Sequence, residues 1–310
     1  MKRIVTLLIC LACLLPLSAQ ENLSKEEFLR RYSNLIGRVG PSGVGVETLL
    51  DKWEEAWPDD TNHMLARFSF CFNRCQKSTL VAMDRDRFMG QPPLLPMTDS
   101  LGNKVNYFEV YEYDDDLFAA ANSAISKAIA ARQNRLDWRF LKIDALMAYE
   151  KEKPEMALQE LKALADFNFT RKPDWEHEQM EGTVNQEQFK TLLQDYCAAL
   201  FRIGSDSSAE AFRILSEHLL TYCKDEPMYL DNLGSYYLVK RDYKKARKYF
   251  DQVLKKHPGD MTALKNSILM ARTLKDQKLE KKYLALMAAN GETETDRASA
   301  QARLDAYGKR

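Results

Sequence analysis

The stretch PMYLDNLGSYYLVKRDYKKARKYFDQVLKKHPGD, residues 227–260, decides how the rest of the chain is read. Leu230, Leu233 and Tyr237 recur at intervals of three and four, and so do Ala246, Phe250 and Val253. That period predicts two amphipathic helices joined by a short polar turn. Gly234 falls inside the first of them, where glycine costs on the order of 1 kcal/mol relative to alanine. The cost needs a return, and a close approach of the two helices supplies one.

In this pattern the stretch resembles a tetratricopeptide repeat (TPR), a 34-residue helix-turn-helix unit. Leu230 stands where that repeat commonly has tryptophan, Leu233 and Gly234 form its leucine-glycine pair, and Tyr237 follows as its tyrosine. Ala246, Phe250 and Pro258 take the alanine, phenylalanine and proline places, while Val253 replaces a second alanine. The frame implies that Gly234 faces Ala246 at the helix crossing, with Phe250 in the adjacent layer. One such unit cannot bury its own apolar faces, so about three or more should stack. Ala145, Ala157 and Leu161 place a second pair at residues 138–167, and Leu264 with Leu284 a third at 261–290. Pro58-Asp59-Asp60 mirrors the helix stop at Pro258-Gly259-Asp260, extending the pattern toward the N-terminus. The fold class expected is mainly α, a TPR-like helix-turn-helix solenoid, with the clearest repeat at 227–260.

The resemblance also implies a concave groove lined by the first helix of each repeat. Carried over position by position, its binding residues are Asp231, Ser235, Leu238 and Val239 in the clear repeat and Lys265, Leu269 and Arg272 in the next. Family members that grip acidic peptide C-termini use lysine and asparagine at such places. Asp231 and Ser235 depart from that, so a mixed acidic, basic and apolar groove is expected. A rigid spacer would need the same residues merely for packing and solvation.

Working outward, the chain opens MKRIVTLLICLACLLPLSAQ: a basic pair, an apolar run and a small-residue ending at Ala19. That is the grammar of a secretory signal peptide, residues 1–19, leaving an exported protein, periplasmic or secreted. The apolar run, about a dozen residues, falls short of the roughly 20 that span a bilayer. A lipid-anchored form through Cys13 is the weaker alternative, because the apolar run continues through Leu14, Leu15 and Leu17. No later stretch has spanning length, so no transmembrane segment is expected after cleavage. The whole chain carries 45 basic and 45 acidic residues, and this bulk balance points away from nucleic acid as a partner. Twelve glycines and ten prolines in 310 residues favour helices over a many-turned β architecture. Cys71, Cys75, Cys197 and Cys223 remain beyond the signal segment and read as small buried hydrophobes, although an oxidising compartment permits disulfides.

Residues 20–113 read as an N-terminal helical region and 114–310 as the repeats. Ser24-x-x-Glu27 is a capping box for a first helix carrying Phe28 and Tyr32. A second helix carries Leu50 and Trp53, and a third Leu65, Phe68, Phe72 and Cys75. Between 78 and 113 the period changes to β-rich segments, predicting a small β-hairpin insertion. Its Tyr107, Phe108, Tyr111 and Tyr113 would serve as stacking surfaces for sugar or protein, or equally as hairpin core. Helix pairs follow from Leu136, with Pro154 as a first helical residue. The charged segment Thr170–Asn185 is expected to be an insertion or mobile edge, and the C-terminal segment from Thr295 a final capping helix.

Motifs for chemistry do not assemble. Gly40 and Gly45 have phosphate-loop spacing, but Val46 and Glu47 stand where lysine and serine or threonine are required. Asp114–Asp116 reads as helix capping rather than a calcium loop. His177-Glu178 is not followed by the second histidine of a zinc-protease helix, and no nucleophile-elbow motif occurs. His63, Cys71 and Cys75 lack a fourth zinc ligand. The expectation is therefore a non-catalytic scaffold or protein-protein interaction protein of the cell envelope, with no cofactor and no metal, binding a protein or peptide. The alternatives are an accessory protein of envelope glycan uptake or assembly using the insertion's aromatic residues, and a hydrolase whose site is not visible in sequence.

Overall fold

The computed structural model describes residues 23–178 and 182–308. The signal-peptide expectation for residues 1–19 and its Cys13 alternative lie outside the described residues. The chain forms α1 (Lys25–Val39), α2 (Val46–Ala56), α3 (Thr61–Arg74), β1 (Gln76–Met83), β2 (Leu95–Thr98), β3 (Lys104–Tyr113), α4 (Asp115–Ala131), α5 (Leu136–Glu150) and α6 (Glu155–Arg171). It continues with α7 (Gln186–Ile203), α8 (Asp206–Tyr222), α9 (Pro227–Val239), α10 (Tyr243–Lys256), α11 (Met261–Thr273), α12 (Gln277–Asn290) and α13 (Glu294–Gly308). It is mainly α, with helix-turn-helix pairs and a small antiparallel sheet. Among the described residues two compact units divide it: 23–74 with Asp116–Ala128, and Cys75–Asp115 with the described residues from Ile129 to 308.

The first unit is built around Trp53, which is fully buried. Its indole stacks on Phe28 with centroids 5.7 Å apart and meets the edge of His63 at 5.8 Å, while Nε1 donates to Asp60 at 3.1 Å. Ser24 caps α1 by accepting from the Glu27 backbone N–H at 3.2 Å. The Glu27 carboxylate, expected to close a capping box, turns instead to Arg30 and Arg31, because two guanidinium groups within reach outcompete one backbone donor. α4 brings in Phe118, 6.3 Å from Phe72.

In the second unit the insertion is a three-stranded sheet in the order β1-β3-β2, not a simple hairpin. The extra strand is Leu95–Thr98, where Pro96 reads as a breaker; on an edge strand proline is tolerated because one row of donors is unpaired anyway. Asp99 shapes the turn into β3 by accepting from the Leu101 and Asn103 backbone N–H groups. The sheet packs with the helical array through Arg85, which pairs with Glu152 at 2.7 Å, and Tyr113, whose ring meets Tyr149 at 5.6 Å.

The helices pair as α5/α6, α7/α8, α9/α10 and α11/α12, with α13 packed on α12. Most second helices start on a side-chain cap: Ser205, Asp242 and Asp276 each accept from the N3 backbone N–H. Pro154 is the cap residue of α6, one position outside the helix. At the α9/α10 crossing, a Cβ built on Gly234 would collide with the Phe250 ring. The glycine therefore makes room for the Phe250 ring, whose atoms come nearest to the place of its missing side chain. Phe250 and Ala246 are both fully buried.

The segment between α6 and α7 is not a mobile edge where it is described. Trp175 is fully buried, stacked on Phe189 at 6.0 Å and donating from Nε1 to Asn168 at 2.9 Å. Glu176 exchanges backbone hydrogen bonds with Asn134 and Leu136. One aromatic residue pins a segment whose charged composition suggested solvent. The four described cysteines are free thiols, three of them buried. No described helix is long and apolar enough to cross a membrane.

Candidate functional site

The first helices of successive pairs form one side of the array, with α7 against α9 and α9 against α11. Between α5 and α7 a cleft of about 480 Å³ opens. α5 turns Asp137, Leu141 and Asp144 toward it, at helical offsets of four and three, and keeps Ile143 and Leu146 for the core. α7 answers with Leu192, Asp195, Tyr196 and Ala199. Described residues of the pinned segment, His177 and Glu178, complete the wall.

Three rings meet in the cleft. Phe140 lies 5.2 Å from Tyr196 and 6.4 Å from His177 by ring centroid. The Tyr196 hydroxyl donates to Asp144 Oδ1 at 2.8 Å, clasping α7 to α5. Asp144 still opens to solvent on one side. The crowded walls nevertheless push its carboxyl above the ordinary range, opposed by the tyrosine hydrogen bond. Burial would also raise Asp137, but hydrogen bonding and attraction to Arg135 prevail and lower it. Glu178 stands 3.9 Å from the same guanidinium. Asp195 is exposed and has no ion-pair partner among the described residues.

Four carboxylates thus line a cleft with three aromatic rings and two leucines; Asp137 and Glu178 already face Arg135, which leaves Asp144 and Asp195 without a cationic partner among the described residues. A cation entering it meets Coulomb attraction and ring faces together, the combination that selects an ammonium or guanidinium on an apolar stem.

The groove residues expected from the sequence lie farther along. Asp231 is only 5% exposed, and its Oδ1 lacks a hydrogen-bond partner. Burial, reinforced by neighbouring Asp260, pushes its carboxyl up to about 8. Ser235 accepts from Asn266 at 3.3 Å, tying α9 to α11. Leu238 packs partly against the core, and Val239 is exposed. Lys265, Leu269 and Arg272 do come together, lining a cavity of about 260 Å³ with Arg303 of α13. Arg272 and Arg303 both donate to Glu280, at 2.8 and 2.6 Å. Burial opposes ionisation of Glu280, but Tyr307 and the two arginines hold its carboxyl low.

Of the insertion's rings, Phe108 is buried, Tyr107 and Tyr113 are half-buried, and Tyr111 is exposed. Among the described residues, no three His, Cys, Asp or Glu side chains are placed to hold a metal ion. Asp137, Phe140, Asp144, Tyr196 and Asp195 escaped the sequence reading. The signal of the three aspartates was present, as acids at helical spacing on α5 and α7, whereas the rings of Phe140 and Tyr196 read as ordinary apolar-face residues.

The fold and cleft together define a helical-repeat protein with an acidic, aromatic-lined recess among its first helices. No family model and no curated protein matches the chain. Among solved structures, it is similar to a chain from the functional characterization of Pseudomonas aeruginosa pilF, with 13% identity, 92% of this chain and 98% of that one covered, and a TM-score of 0.31. It is also similar to an assembly chaperone of RpL4, Acl4 (residues 1–338), with 12% identity, 93% and 99% covered, and a TM-score of 0.31.

Proposed function

We propose that this chain is a non-catalytic scaffold of the cell envelope whose α5/α7 cleft grips a lysine or arginine of an extended partner segment. The interaction module comprises residues 114–310. The cleft is its anchor, and Ser235, Leu238, Val239, Lys265, Leu269 and Arg272 continue the docking surface, with Asp231 supporting it from beneath. The observation carrying this reading is the placement of Asp144 and Asp195, without a cationic partner among the described residues, beside the rings of Phe140, Tyr196 and His177. A cationic side chain there replaces water with carboxylate oxygens and ring faces, whereas an acidic segment would be repelled.

The test places a photo-crosslinking residue at Leu141 or Ala199 and sequences the captured segment. That segment is then synthesised and its affinity measured. Asp144→Asn with Asp195→Asn should weaken binding about tenfold or more, as should replacing the peptide's basic residue by alanine. Capture of a segment without lysine or arginine, or an affinity indifferent to both carboxylates, would overturn the reading. Fractionation of the producing cells checks the envelope location.

A further inference from the structure

Formal charge is balanced over the whole chain, yet residues 240–282 hold 14 lysines and arginines against five acids, a net of +9. The excess gathers on the second helices. Lys244, Lys248 and Lys255 are exposed on α10, and offsets of four and eleven residues return to within about 40° of one direction. On α12, Lys278 and Lys282 follow one another by a turn and are also exposed. Asp251 lies on the same α10 stripe, but its charge is spent: it accepts from Lys282 at 2.8 Å, Tyr283 at 2.9 Å and Arg247 at 3.3 Å. This clasp joins the two stripes into one face. Lys244, Lys248, Lys255 and Lys278 have no carboxylate partner among the described residues.

A groove of about 700 Å³ runs through this face. Lys244, Arg247 and Lys248 border it, and Leu274, 45% exposed, presents an apolar surface beside them, backed by the buried Met270 and Leu279. Its acids Asp242 and Asp276 are engaged in capping α10 and α12.

We propose that the α10/α12 face docks onto an anionic phospholipid membrane. Lysine dominates among the unpaired cations. As hydrated point charges on flexible stems, lysines suit a fluid layer of headgroups better than the forked, fixed geometry by which arginine reads a phosphate. An apolar surface directly beside cations matches an amphiphile and has no counterpart in a nucleic-acid backbone. Each lysine held near an anionic leaflet strengthens partitioning about fivefold. Residues 129–239 of the same unit carry 13 basic and 19 acidic residues, a net of −6, and are repelled by the surface that attracts the lysines. The proposal is independent of what the α5/α7 cleft binds.

The experiment is co-sedimentation of the purified protein with phosphatidylcholine vesicles, alone or containing about 30% phosphatidylglycerol. Binding should require the anionic lipid and be lost near 0.5 M salt, where the screening length falls to roughly 4 Å. The triple variant Lys244→Glu, Lys248→Glu, Lys278→Glu should lose about a hundredfold in partitioning, with its helical circular dichroism unchanged. Lys77→Glu, Lys104→Glu, Lys153→Glu makes the same change in net charge away from the face and should keep most of the binding. Failure to sediment with anionic vesicles, equal loss in the two triple variants, or tighter binding to duplex DNA than to the vesicles at equal salt would each overturn the proposal.

Discussion

Replacing Asp231 by asparagine should stabilise the helical array above neutral pH. The side chain is 5% exposed at the α9/α11 junction beside Asp260, which already caps α11 by accepting from the Ala263 N–H at 2.9 Å. Burial pushes the Asp231 carboxyl from an ordinary 3.8 to about 8, so the folded chain keeps a proton that the unfolded chain has released. Between about pH 4 and pH 8 the folded state binds the extra proton, and stability therefore falls as pH rises through that window. Four pH units at ~1.4 kcal/mol each set a ceiling of about 6 kcal/mol. Local relaxation and water entry reduce this, and about 2 kcal/mol is the expected loss between pH 5 and pH 9. The amide of Asp231→Asn can donate to Asp260 without titrating. Urea unfolding followed by circular dichroism at pH 5, 7 and 9 should show the native midpoint dropping by about 1 M while the variant's stays nearly level. A variant less stable than the native chain at pH 9, or two equally flat profiles, would refute a buried, proton-holding Asp231.

Gly234→Ala should destabilise the array by about 1–2 kcal/mol despite alanine's higher helix propensity, because its methyl meets the Phe250 ring; in a Phe250→Leu background the cost should shrink, read from thermal unfolding. Trp175→Ala should cost about 3–5 kcal/mol and open the chain to limited proteolysis between α6 and α7, read from the cleavage rate and fragment masses. Burial lowers the pKa of His63, against attraction by Glu54, so the unfolded chain takes up the proton first. Stability of the first unit is then complete above the ordinary value of 6.5 and falls as pH drops toward the lower folded value; His63→Phe should remove that acid sensitivity in hydrogen exchange of α2 and α3.

What the sequence made legible was whatever depends on local period. Helix pairing, the stop at Pro258 and the fitness of a glycine at 234 all follow from apolar spacing within 34 residues. The identity of the ring that fills the glycine's space did not follow, because a helix crossing is set by side-chain directions as well as by register. β2 was hidden by Pro96, whose strand role depends on being at an edge. For the segment before α7, the mobile-edge alternative fails for a related reason: average composition weighs its many charges above the single Trp175, which is fully buried. For Asp231, the repeat frame gave a place on the helix but could not weigh burial, which turns a groove acid into a proton-holding one.

Net charge shows the same limit and explains how the molecule can present two unlike faces. A balance of 45 against 45 is an average over a chain whose 129–239 segment is acidic and whose 240–282 segment is strongly basic. At a screening length of roughly 8–10 Å, a partner responds to the face within reach and not to the total. On the two proposals above, the α5/α7 carboxylates and the α10/α12 lysines should therefore behave as separate electrostatic sites on one array. Added salt should weaken binding at both, since both are open to solvent. Neutralising Asp144 and Asp195 should weaken the peptide alone, and reversing Lys244, Lys248 and Lys278 should weaken the vesicles alone. If either set of substitutions weakened both ligands equally, the two faces would be one nonspecific field, and the segregation of charge along the repeats would have no functional reading.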